Sequence, residues 1–244
     1  MKSYSYSDTC HQRGFTLVEI AIVLMIVGLL IGGILRGQEL IQSARVRNLV
    51  DQKSAVQTAY IGFLDRYRML PGDLTAAQAV IVGNGVIAAP GPTDGDGEIL
   101  WATDSVVFFQ NLTAAGFISC GACMSVTAVV STPNVSNTLI NVYGDYLAVG
   151  HANSNNLGTS WFDAAAAPGI RRLIVPTGGS VPSQVLAELD RKADDGLPGS
   201  GMLRYHRMAT SGLATACAPG LSLASPAVSW ANPSQANCAG AWLF

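Results

Sequence analysis

The chain has 244 residues and a net charge of −2, with only 12% of its residues charged and 49% hydrophobic. Nothing in a composition so sparing in charge suggests a nucleic-acid surface, and no nucleic-acid partner is expected. It suits a weakly charged globular domain, and the length leaves room for one such domain with a real core after a membrane helix is set aside.

The first segment, residues 1–14, is short and polar and ends in Gly14. Arg13-Gly14-Phe15-Thr16-Leu17-Val18-Glu19 then runs without a break into an apolar stretch that reaches Leu35, and between residues 15 and 35 the only ionisable side chain is Glu19. As a helix this stretch would be about 31 Å long, enough to cross a hydrocarbon core of about 30 Å. A carboxylate within a span costs roughly 3 kcal/mol on insertion scales and calls for a cation. Cleavage between Gly14 and Phe15 would create one, because the new α-amino group would lie about one turn from Glu19.

A polar leader ending in Gly, followed by Phe-Thr-Leu-x-Glu and an apolar helix, resembles the prepilin signal of type IV pilins and type II secretion pseudopilins. The resemblance covers residues 14 to about 71. It implies cleavage after Gly14 and N-methylation of Phe15 by a prepilin peptidase on the cytoplasmic side. It also implies that Glu19 complements the N-terminus of a neighbouring subunit during filament assembly. A secretory signal fits less well, because the apolar run is too long and no small-residue cleavage site follows it.

The helix is expected to continue past the span. Residues 36–69 contain no Pro, and apolar residues such as Leu40, Leu49, Val56, Tyr60 and Phe63 recur at spacings near three and four until Pro71-Gly72-Asp73. Many pilins carry a helix-breaking Pro where this chain has Arg36, and Gly28, Gly32, Gly33 and Gly37 offer flexibility or small-xxx-small helix contacts instead. Lys2 and Arg13 precede the span while Arg36, Arg45, Arg47 and Lys53 follow it, so a positive-inside count opposes export of the C-terminal part. The cleavage motif and the cysteines outweigh that count. Cys10 would be discarded with the leader, leaving Cys120, Cys123, Cys217 and Cys238. Four cysteines allow three pairings, and the local pairs 120 with 123 and 217 with 238 are favoured for an oxidising periplasm or exterior. Zinc competes through Cys120-Gly121-Ala122-Cys123, but the second pair lacks the matching spacing.

Beyond Pro71, residues 104–115 and 183–192 read as short helices. Strand candidates are residues 125–130, 138–143, 146–149, 170–175 and 202–207. The expected fold is α+β, a long N-terminal helix laid on an antiparallel sheet, organised as a leader (1–14), a membrane or filament-core helix (15–35), its amphipathic continuation (36–70) and a globular domain (71–244). Residues 88–98 and 153–158 read as long polar loops. Asp94-Gly95-Asp96-Gly97-Glu98 lacks the Gly and Glu that complete an EF-hand, and Asp190, Asp194 and Asp195 form an acidic turn. Calcium is a minor expectation at either, and no other cofactor is expected. Only His151 and His206 survive processing, and no metalloprotease, serine-hydrolase or phosphate-loop motif is present, so an enzyme is not expected.

The leading expectation is a minor pilin or pseudopilin, held in the bacterial inner membrane by one span with its C-terminal domain in the periplasm, and partnered by like subunits and a prepilin peptidase. The alternative is a membrane-anchored adhesin or binding module that uses the helix as its mount.

Overall fold

The computed structural model describes residues 15–83, 95–101, 103–125, 132–153, 171–208, 211–222 and 224–244. Helix α1, Leu17–Tyr67, contains no proline and ends at Arg68, which adopts a left-handed conformation with φ 56° and donates its N–H to the Leu64 carbonyl at 2.9 Å. That left-handed residue caps the helix three residues before Pro71. The chain divides into two compact units, Met1–Ser43 and Ala44–Phe244. In the first, every side chain from residue 15 to 36 is exposed.

The second unit begins with the part of α1 that carries an apolar stripe. Val46, Leu49, Val56, Ala59 and Phe63 are buried, a repeat of three, seven, three and four. Leu40, part of the expected stripe, is 72% exposed. Short helices follow: α2 (Ala76–Gly83), α3 (Thr103–Ala114) and a 3₁₀ turn at Ala122–Ser125. Then come strands β1 (Gly150–Asn153) and β2 (Arg171–Pro176), helix α4 (Ser183–Ala193), strand β3 (Leu203–Tyr205), the one-turn helix α5 (Ala214–Cys217) and strand β4 (Gly240–Leu243). The four strands form one antiparallel sheet in the order β1-β2-β4-β3, which makes the unit α+β.

Two apolar clusters fill this unit. Val56, Ala59 and Phe63 of α1 meet Phe108, Phe109 and Leu112 of α3 together with Leu173 and Val175 of β2. Val46 and Leu49 belong to a second cluster with Val185, Leu186 and Leu189 of α4, Tyr205 of β3 and Trp242 of β4. Each fully buried Leu or Phe contributes about 2 kcal/mol. Close approach fixes Gly62, since a Cβ there would stand 2.8 Å from the Phe117 ring.

Each outer strand makes one further backbone hydrogen bond beyond the sheet. His151 of β1 donates its N–H to the Ile99 carbonyl at 2.8 Å, and Tyr205 of β3 donates to the Pro198 carbonyl at 2.8 Å.

Several strand expectations are corrected. Residues 138–143 form a turn with a single bridge, Ile140 to Tyr146, because the Asn141 side chain accepts the N–H groups of Tyr143 at 2.8 Å and Asp145 at 3.1 Å. Asx-turn chemistry there overrides the β propensity of Leu139, Ile140 and Val142. The strand expected at 146–149 begins at Gly150 instead, since the Val149 N–H is taken by the Ser105 hydroxyl of α3 at 2.8 Å. Ser125 ends the 3₁₀ turn, and the rest of the strand expected at 125–130 lies outside the described residues, as does most of both expected loops. The expectations at 170–175 and 202–207 correspond to β2 and to a shorter β3, and those at 104–115 and 183–192 to α3 and α4. Strand β4 was not expected, because Gly240 and Ala241 weaken any β signal at that point.

Candidate processing and assembly site

At the start of α1 the sequence Thr16-Leu17-Val18-Glu19 closes on itself. The Thr16 hydroxyl oxygen accepts the N–H of Glu19 at 3.3 Å, while Glu19 Oε2 accepts the Thr16 N–H at 3.0 Å and the Thr16 hydroxyl proton at 3.0 Å. This is a reciprocal capping box, which satisfies donors that the first helical turn leaves without partners. The carboxylate also sits at the positive end of the helix dipole. Its hydrogen bonds are satisfied while its charge is not, since no cationic side chain pairs with Glu19 among the described residues.

Phe15 is 83% exposed beside this cap, and Gly14 lies outside the described residues. Past Glu19 the helix is apolar on all sides, with a mean hydropathy of 2.7 over its most apolar window and none of that window buried. A Cβ placed on Gly28, Gly32, Gly33 or Gly37 would meet nothing within 4 Å, so no contact within the chain requires glycine there. Smooth patches of this kind are where a second helix can approach closely.

Residues 9–35 match the prokaryotic N-terminal methylation motif. The chain carries a prepilin-type signal. The methylation motif suggests a type IV pilin or pseudopilin family, and its apolar helix is consistent with membrane anchoring or secretion. Comparison with curated proteins and with solved structures finds no match. Thr16 is the site residue that sequence reasoning missed, and its signal lies in the Thr-x-x-Glu spacing of the motif itself.

The remaining candidate residues lie in the second unit. Disulfides join Cys120 to Cys123 at the 3₁₀ turn and Cys217 at the end of α5 to Cys238 just before β4.

Asp190, Asp194 and Asp195 bring one oxygen each within 4.8 Å of the others. These carboxylates accept hydrogen bonds from the loop and from Trp230. Asp190 accepts the Trp230 indole N–H at 2.7 Å and the Gly196 N–H at 3.1 Å, while Asp194 accepts the N–H groups of Met202 and Leu203. Asp195 accepts from the Leu197 N–H at 2.9 Å and the Ser200 hydroxyl at 2.6 Å. Asp190 is fully buried, and burial pushes its pKa up to about 6, with the nearby Asp195 and Asp194 charges acting in the same sense and its two hydrogen bonds against it. The cluster braces the α4–β3 connection. The other acidic stretch is also a turn: Asp96 accepts the Glu98 N–H at 2.8 Å, the N–H groups of Gly95 and Gly97 go to buried Asp73, and Asp94 lies outside the described residues.

His206 sits just beyond β3, its ring 5.0 Å from that of Trp101 and its N–H on the Ala239 carbonyl at 3.1 Å. Burial pushes its pKa down to about 3, and Nδ1 makes no hydrogen bond among the described residues. A neutral ring with no hydrogen-bonded nucleophile or carboxylate is a packing residue rather than a catalytic base.

Proposed function

We propose that this protein is a structural filament subunit, a minor pilin or pseudopilin of a type IV pilus or a type II secretion filament, cleaved after Gly14, methylated on Phe15 and assembled through its N-terminal helix. One observation carries this: the methylation motif coincides with a stretch of helix, residues 17–35, exposed on every side, whose only ionisable group, Glu19, is held by Thr16 and has no cationic partner among the described residues.

Assembly then follows from the same chemistry. In the membrane the helix is solvated by lipid. In a filament, like helices replace the lipid, and the Phe15 amine of one subunit meets the Glu19 carboxylate of another, pairing two charges that are each costly in an apolar medium. The second unit, which has its own core and disulfides, remains on the oxidising side of the membrane. Its role is structural, and the prepilin peptidase and neighbouring subunits are its partners.

Mass spectrometry of the N-terminus tests this directly. Membrane-purified protein produced with a prepilin peptidase should begin at Phe15 carrying one added methyl group, and protein produced without it should keep its leader. An intact leader in both preparations, or cleavage elsewhere, would remove the filament assignment and leave a membrane-tethered binding module.

A further inference from the structure

Among the described residues, strand β1 is an outer strand of the sheet, paired on one side with β2 and on its other side with Ile99 alone. That second contact is unusual in its chemistry. The His151 N–H donates to the Ile99 carbonyl at 2.8 Å, and the Ile99 N–H returns to Nδ1 of the His151 imidazole, also at 2.8 Å. A side-chain nitrogen therefore stands where a strand partner would offer a backbone carbonyl.

The segment held in this way is packed tightly. Ile99 is fully buried, the neighbouring Leu100 N–H is taken by Asp104 at the start of α3 at 2.8 Å, and the Gly95 and Gly97 N–H groups are held by Asp73. Trp101 and the Ile99 carbonyl press on Gly150, where a Cβ would come within 2.8 Å of the indole. His151 is the middle fastening, and among these hydrogen-bond acceptors it alone can be converted into a donor near neutral pH.

We infer that His151 is a pH-operated latch: its neutral ring clips the 95–101 segment onto the open edge of the sheet, and protonation releases it. A doubly protonated imidazole carries N–H groups on both nitrogens, so Nδ1 can no longer accept, and two N–H groups would face each other at hydrogen-bonding distance. Burial holds the ring below the ordinary histidine value, while the backbone hydrogen bonding with Ile99 and then the carboxylates of Asp96 and Asp73 pull in the opposite direction. Asp104 faces the same segment from α3, and the neutral ring of His206 faces it through Trp101. The sign follows: a folded-state value below about 6.5 keeps the latch closed at neutral pH and opens it as the medium becomes acidic. Opening leaves the backbone of β1 without its outer partner, the condition under which a sheet edge accepts a strand from another chain.

Amide hydrogen exchange on the full chain in detergent micelles tests the latch. Between about pH 7.5 and about pH 5, after correction for intrinsic exchange, protection at Ile99 and His151 should fall about tenfold per pH unit below the ring's pKa. Val175 and Trp242, paired at the centre of the sheet, should stay protected. In His151→Asn, Oδ1 lies as many bonds from the backbone as Nδ1, accepts the same N–H and does not titrate, so protection at Ile99 should not vary with pH. The latch is overturned if wild-type protection at Ile99 holds at a pH where the His151 ring is seen by NMR to be protonated, if the Asn variant loses it in parallel, or if Val175 and Trp242 open in step with it.

Discussion

Two stretches of α1 share one backbone geometry and differ in almost everything else. Residues 15–36 expose every side chain, and the surface they expose is apolar all round, apart from Glu19 and the terminal Arg36. From Ala44 onward the same helix buries a single stripe, Val46, Leu49, Val56, Ala59 and Phe63, and places charges elsewhere, as in the exposed Asp65–Arg68 pair at 3.2 Å. A one-sided helix has its apolar partners within its own chain, whereas one that is apolar on every side finds them in lipid or in other subunits. The difference teaches that half of this helix is folded by its own sequence and the other half by its surroundings.

Glu19→Ala is the sharpest way to break that contrast. Removing the carboxylate from a pair in an apolar filament core costs about 3 kcal/mol at each subunit contact, so sedimentable filaments should disappear. Cleavage after Gly14 should continue, as mass spectrometry would report. Filaments at the normal yield from this variant would show that Glu19 has no part in assembly.

The next effect separates the two stretches by stability. Phe63→Ala should lower the unfolding free energy by about 4 kcal/mol, followed through the fluorescence of the buried Trp230 and Trp242 during urea denaturation in detergent. Leu24→Ala, at a side chain 65% exposed, should change it by less than about 0.5 kcal/mol. Equal losses from the two variants would mean that the helix behaves as one structural piece.

A smaller effect concerns the second unit alone. Asp190 has a folded-state pKa of about 6, above the ordinary aspartate value, so the fold favours its protonated form and acidification from neutral pH relieves a penalty. His206, pushed down to about 3, has the opposite sign: its neutral ring is required, and stability is lost as the pH falls below about 6.5. Asp190→Asn removes the first contribution and leaves the second. Its melting temperature should therefore fall more steeply than that of the wild type between about pH 7 and about pH 5, and parallel curves would refute the assignment to Asp190.

The sequence made plain those features that depend on local patterning. A single charge in a long apolar run marks Glu19, the three-and-four repeat marks the buried stripe through Phe63, and the helices α3 and α4 follow from their flanking turn residues. Less visible was structure set by distant partners. Asn141 converts a β-branched run into a turn by accepting two N–H groups, and the Ser105 hydroxyl on α3 delays β1 until Gly150. By contrast, of the three pairings that four cysteines admit, the local one favoured from the sequence is the one present, with α5 meeting the approach to β4 to join Cys217 to Cys238. The burial of Asp190 under Trp230 was hidden, since forty positions separate the two residues.

Strand β4 lies inside the sheet, between β2 and β3, although it comes last among the described strands. Neither neighbour can complete its hydrogen bonding before residues 240–243 arrive. Under the proposed function, the helix could enter lipid as soon as it is synthesised, while the sheet would wait for export of the chain through Leu243. Anchoring would then come first and folding last, and a chain stalled during export would be a tethered, unfolded target for proteases rather than a half-built domain.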